Sequence, residues 1–331
     1  MLRLLGWQLL VSAVLAVIAA QTVDLDALAD ALRVVTLWLI PPALLLFTTA
    51  KFVDSWRWRY LLRGVSEHAD GAPPQPVLFG AFLIGNMVNN LLPLRAGDLA
   101  KVQVLANRYG ASRAGVAASL FVVEATLDGV VFVLFLIGGA AFWGLGDLPT
   151  VTRTAIAVLA AAAGVGILTA LALIRAPSRL AVLLRLVPRR WREATVAQLS
   201  RGGEGLHALR SWRRIGSAIA LSGPAWLIEA GMFAVFGEAF GLEHGYGTYI
   251  AAMVAANLAV AVPVALWNFG PYEALVAGVL TAAGTDEATA LAYALAVHVL
   301  TNAWIVGTGL LAFWAMRLSP RDVLAVRRKE G

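Results

Sequence analysis

Residues 4–23, 34–50, 129–146 and 154–174 carry no charged side chain. A helix needs about 20 apolar residues to cross the hydrocarbon core. Inside that core every backbone N–H and C=O must be paired within the protein, so the spanning choices are helices or a closed barrel. Charge-free runs of this length read as helices, since barrel strands alternate and are about half as long. Composition agrees: 60% of residues are apolar and 14% charged, against roughly 25% charged in a soluble domain. Mean hydropathy is +0.77. The chain is expected to be an all-α polytopic membrane protein. The first run follows Arg3 as a signal peptide would, but it is long and Gln21 follows only a weak small-residue site. It reads as an uncleaved first span.

One apolar run is spoiled. Residues 77–101, VLFGAFLIGNMVNNLLPLRAGDLAK, hold Asn86, Asn89, Asn90 and Pro93, then Arg95, Asp98 and Lys101. Broken backbone at membrane depth survives only when buried in protein or lining a wet cavity. If this segment crossed fully, Arg95, Lys101, Arg108 and Arg113 would lie outside. If it dips in and returns, they stay inside, as basic residues prefer. A re-entrant hairpin is therefore expected.

The net charge of +6 is unevenly spread. Residues 175–214 hold ten Arg against Glu193 and Glu204, and the tail from Arg317 is also basic. Such segments flanking apolar spans follow the positive-inside rule. Nucleic-acid binding is the sharper alternative, but no matching motif accompanies the Arg. Both termini and the 175–214 segment are assigned to the cytoplasm, with 178–187 read as a helix on the membrane surface. Pro41-Pro42 is expected to kink or break the second span. The residues after it read as an inner loop, where Lys51, Arg57 and Arg59 either anchor the span end by snorkelling to the interface or contact an anionic lipid headgroup, beside an interfacial belt of Trp56 and Trp58.

The broken run has an echo. Asn86, Pro93, Gly97 and Asp98 run in the same order as Asn257, Pro263, Gly270 and Glu273. After each acid comes an apolar stretch and a glycine, Gly110 or Gly284. Fourteen residues past each glycine is Glu124 or His298, and four further on is Asp128 or Asn302. An i,i+4 pair shares one helix face, so each long span would present two polar groups to the same neighbour. The expected plan has about six full spans plus two re-entrant broken-helix hairpins. The whole of 1–331 is one membrane domain, with pseudo-repeats at 1–146 and 154–316 in a possible inverted repeat. Transporters built this way hold substrate near the midplane between broken helices.

Glu124, Asp128, Glu229 and Glu238 also fall within expected spans. An ionised acid at a helix centre costs roughly 2.5–3.5 kcal/mol on insertion scales. Glu124 and Asp128 should therefore face a partner, such as Arg95, Lys101 or His298, or else a polar cavity. One reading is an ion-pair lock between helices; the other is a lining for a headgroup or proton pathway. The sequence holds no Cys, HExxH, GxSxG or Walker loop. With a single intramembrane His, no metal or other cofactor is expected.

The run GNMVNNLLPLRAGDLAKVQVLANRYGASRAGVAASLFVVEATLDG resembles the signature region of the lysylphosphatidylglycerol synthase membrane-domain family. Asn90, Leu92, Pro93, Gly97, Asp98 and Lys101 carry the first motif, and Glu124 and Asp128 the span after it. Ala125 stands where the family often has Arg. PVALWNFGPYEALV is similar to the second motif through Pro263, Gly270 and Glu273, and KFVDSWRWRYLL to an upstream Arg-Trp stretch. The resemblance covers about 1–318 and implies an α-helical, flippase-type fold. It implies a substrate lipid with a bulky or charged headgroup, either aminoacylated phosphatidylglycerol or a polyprenyl-linked sugar. No soluble aminoacyl-transferase domain follows the membrane part, so synthase activity is not expected.

The function expected is lipid translocation in the cytoplasmic membrane, with membrane lipids and their anionic headgroups as partners and no nucleic acid. The headgroup residues would be Asn86, Asn90, Arg95, Asp98, Lys101, Glu124, Asp128, Glu273, His298 and Asn302. The alternatives are an integral membrane transferase using a lipid-linked donor, and a scaffold recruiting a partner through 175–214.

Overall fold

A computed structural model of the chain describes residues 25–62, 73–92, 96–121, 212–261 and 268–319, with isolated positions between and after them. These residues form nine α-helices and one short 3-10 turn, Leu37–Leu39, and no strand. The helices are α1 (Leu25–Arg33), α2 (Ile40–Leu62), α3 (Gln75–Leu91), α4 (Ala96–Tyr109), α5 (Arg113–Phe121), α6 (Trp212–Ala239), α7 (Tyr246–Ala261), α8 (Pro271–Ala282) and α9 (Glu287–Ala315). The charge-free runs at 4–23, 129–146 and 154–174 lie outside the described residues except at 129, 133–135, 138 and 161. So does nearly all of the Arg-rich segment, which α6 leaves at Trp212.

Among the described residues three helices are long and apolar enough to cross a membrane: Leu37–Leu62, Ala220–Ala239 and Glu287–Ala315. The chain is a membrane protein, and the first of these helices covers most of the charge-free run at 34–50. Two local expectations are corrected. Pro41 and Pro42 do not kink the second span. They sit in the first turn of α2, where a missing N–H costs no helical hydrogen bond. Nor do residues 51–62 form a loop, because α2 continues through them to Leu62.

Each interrupted region folds as two short helices packed on each other, α3 with α4 and α7 with α8. At 1.5 Å per residue the longest of the four, α3, reaches about 25 Å, short of the roughly 30 Å core. The breaks themselves, with Pro93 and Pro263, lie outside the described residues. The echo positions nevertheless fall at equivalent places. Asp98 is the third residue of α4 and Glu273 the third of α8. Gly110 follows α4 and Gly284 follows α8, with φ of 64° and 101°, the left-handed exit that a glycine after a helix supplies at little cost.

Two hydrophobic clusters organise the packing. One joins the C-terminal part of α2 (Trp58, Leu61, Leu62) to α3, α4 and α5, and also takes in Ala312 of α9 and Leu318. The other joins the N-terminal part of α2 (Ala43, Leu44, Phe47) to α6, α7, α8 and the first half of α9. Helices α2 and α9 thus run through both clusters. The α2–α6 contact is the most extensive in the fold and uses the fully buried Ala43 and Ala230. Small side chains of this kind let helix backbones approach where hydrocarbon supplies no hydrophobic drive.

Candidate functional site

The first hairpin is closed by its own polar groups. The Asn89 side chain on α3 reaches the start of α4 with both ends of its amide. Its Oδ1 accepts from the Gly97 N–H at 2.7 Å, and its Nδ2 donates to Asp98 Oδ1 at 3.2 Å. The first N–H groups of a helix have no intrahelical acceptor, so Asn89 supplies one from the neighbouring helix. Lys101 Nζ donates to the same Asp98 oxygen at 3.2 Å and lies 4.5 Å from the Phe82 ring centre. The Lys101 side chain is 2% exposed, against 29% for Asp98. The helices cross at glycines: a Cβ on Gly97 would strike the Gly85 carbonyl, and one on Gly85 would strike the Lys101 side chain. Asp98 and Lys101 touch each other.

The second hairpin uses its acid differently. Glu273 Oε2 accepts from the Gly270 N–H at 2.6 Å, capping its own helix. Its Oε1 lies 2.6 Å from His298 Nδ1 on α9. With Glu273 ionised, Nδ1 carries the proton, since a carboxylate only accepts. The Tyr272 ring stacks on the imidazole at 4.0 Å and 13°, and Phe269 lies 4.7 Å away. Both members of the pair are buried.

Helix α9 also meets the first hairpin. Asn90 Nδ2 donates to Asn302 Oδ1 at 2.8 Å. One turn apart on α9, His298 therefore meets the second hairpin and Asn302 the first. The expectation that this i,i+4 pair addresses one neighbour is corrected: it joins two. The shared face was legible in the spacing, but the identity of what packs there was not.

A third polar group lies where the hydrophobic clusters meet. Lys51, midway along α2, is 2.6 Å from Glu229 Oε2 on α6 and 3.6 Å from Asp54 Oδ2. Glu229 Oε1 accepts from Asn257 Nδ2 on α7 at 3.1 Å. Farther along α2, Arg57 Nη1 donates to Ser222 Oγ at 2.6 Å and Nη2 is 3.5 Å from Asp54. Arg57 is 1% exposed, so it faces α6 and not lipid. Arg57 is therefore not an interfacial anchor, and Lys51 is paired to α6 midway along its helix instead of at a span end. The first charge after an apolar run marks a span end only when that charge stays unpaired. Arg59, half-buried on the same helix, keeps its Nε out of solvent. Trp58 is also buried, with Nε1 donating to Ser119 Oγ at 3.0 Å, whereas Trp56 is exposed as a belt residue would be.

A narrow crevice beside Lys51 is lined by Phe47, Thr48, Leu83, Asn86, Ile305 and Thr308. Asn86, expected in the site, is thus placed near Lys51. Glu229 and Asn257 belong here too, although the headgroup set drawn from the sequence omitted them. The signal was Glu229 itself, an acid in a long apolar helix that needs a cation opposite it. Arg95, Glu124 and Asp128 lie outside the described residues. Among the described residues no group of three or more His, Cys, Asp or Glu could hold a metal.

The family model for the lysylphosphatidylglycerol synthase TM region matches residues 6–309. The chain belongs to that family. The match extends across both interrupted hairpins, α2, α6 and most of α9. It ties the protein to a membrane lipid-related function. No curated protein and no solved structure matches the chain.

Proposed function

We propose that this member of the family is a lipid translocator. It moves a lipid with a charged or sugar headgroup, an aminoacyl phospholipid or a polyprenyl-linked glycan, between the leaflets of the cytoplasmic membrane. In this reading six spans carry two re-entrant hairpins that enter from opposite sides as an inverted repeat, with both termini cytoplasmic. The observation that carries it is the double engagement of α9, through His298 to Glu273 and through Asn302 to Asn90. A long helix tied by adjacent turns to both hairpins couples any movement of one to the other. Alternating access requires that coupling around a site near the midplane.

The buried polar groups suit this work. Among the described residues Lys101, Lys51 and His298 each meet an acid, so these charges are paired inside the protein. Each can exchange its partner for a headgroup oxygen or amine while the acyl or prenyl chains stay in the bilayer. Arg95, Glu124 and Asp128 are proposed to complete the lining from the first half.

Proteoliposomes loaded with a fluorescent lipid, quenched from outside, measure transfer directly. Wild type should move label between leaflets, and Asn302→Leu should slow it by about tenfold, equivalent to 1.4 kcal/mol of barrier. A wild-type rate equal to that of protein-free vesicles, over the candidate lipid classes, would refute translocation. A new lipid product accumulating in the same vesicles would identify a transferase.

A further inference from the structure

We infer that Lys51 is the anion site for the lipid phosphate and that Glu229 is its resident competitor, leaving Lys51 when a headgroup binds. This inference rests on the translocator reading and names the atoms that take the phosphate.

Lys51 is a cation in the middle of an apolar helix, where an unpaired charge is costly. Among the described residues it meets two acids of different kinds. Asp54 is on the same helix at 3.6 Å and moves with it. Glu229 comes from α6 at 2.6 Å, the shorter and cross-helix contact. When Glu229 withdraws, the Asn257 amide still donates to its other oxygen, at 3.1 Å. A phosphate oxygen arriving as Glu229 withdraws replaces one charge-assisted hydrogen bond with another. The lysine need never stand alone.

The surroundings fit a phosphodiester. Lys51 keeps 17% of its side chain exposed, unlike the sealed Lys101 at 2%. It faces a crevice where Thr48, Asn86 and Thr308 place polar side chains among Phe47, Leu83 and Ile305. Polar ends beside an apolar wall match a headgroup joined to a lipid tail. The crevice has no room even for a water molecule, and it lies between the two hydrophobic clusters, so a headgroup enters only if those clusters move apart. Trp304 is tied to Thr48 by a 2.7 Å hydrogen bond, so α9 forms part of the same wall.

The test uses the purified full chain in neutral detergent, titrated with phosphatidylglycerol and followed by thermal shift. In Glu229→Gln the competitor is neutral, and half-saturation should occur at roughly tenfold lower lipid, the factor worth 1.4 kcal/mol. Lys51→Gln combined with Glu229→Gln keeps an amide pair and removes both charges, and should abolish any preference for phosphatidylglycerol over an uncharged diacylglycerol. Wild type supplies a readout that needs no variant. A hydrophobic carbodiimide should label Glu229 several-fold more once phosphatidylglycerol is present, scored by peptide mass. Unchanged or lower labelling, or a double variant that keeps the wild-type preference, would overturn the assignment. Binding is read without transport, so a wild type that binds but fails to translocate counts against the translocator reading and leaves this site standing.

Discussion

The two hairpins begin their second helices with an acid at the same position and use it in different ways. Asp98 is held by Asn89 and Lys101, both within its own hairpin. Glu273 caps its own helix and then reaches out to His298 on α9. The first hairpin is therefore locked internally and meets α9 through a neutral amide pair, Asn90–Asn302. The second meets α9 through an ionisable one. A shared local motif fixes the helix start in both, and the neighbouring helix decides what else the acid does.

The comparison breaks most sharply at Glu273. Replacing Glu273 by Ala leaves the His298 side chain buried without its acceptor and the Gly270 N–H uncapped. Removing one partner of a buried pair costs about 3–5 kcal/mol, so Glu273→Ala should lower the melting temperature in detergent far more than Asp98→Ala, whose site is 29% exposed. Equal losses at the two acids would abolish the distinction. In a double-mutant cycle Glu273 and His298 should couple by more than Asn90 and Asn302 do.

Next in size is Gly97→Ala. Its new methyl would meet the Gly85 carbonyl, forcing α3 and α4 apart at a cost of about 1–3 kcal/mol or more. Fluorescence-detected gel filtration after heating should show Gly97→Ala lost at a lower temperature than Gly278→Ala, whose Cβ would enter open space.

Asn302→Leu tests the neutral link. Hydrogen bonds between membrane helices average about 0.6 kcal/mol and reach about 1.7, so stability should fall by little while transfer slows. A variant that loses neither would show that α9 does not couple the hairpins.

The smallest effect is expected at the mouth of α9. Asp286 caps that helix by accepting from the Thr289 N–H at 2.9 Å, and this bond holds its carboxyl below the usual range. The sign follows: the cap stabilises above the ordinary carboxylate range and is lost as pH falls through the lowered folded value. Asp286→Ala should cost under about 1 kcal/mol for this exposed cap, with the deficit vanishing in strong acid.

Much of this was readable from residues alone. Charge-free runs had to become helices because hydrocarbon leaves backbone groups no other partner. The breaks at 77–101 and 257–273 were legible as helix interruptions, because Asn, Pro and charge spoil an apolar run locally. The i,i+4 spacing of His298 and Asn302 placed them on one face by helix geometry.

What failed to show in the sequence was pairing at long range. Lys51 looked like the end of a span because nothing local marks Glu229, 178 residues away, as its partner. Arg57 looked like a lipid anchor until Ser222 was placed against it. The sequence alone determined that the chain is helical and membrane-embedded, and that helices are interrupted within 77–101 and 257–273, since solvent and local backbone chemistry dictate both. Only the tertiary structure decided which charges are locked and which face a crevice, because a buried charge is tolerated or not according to the group that packing brings to it.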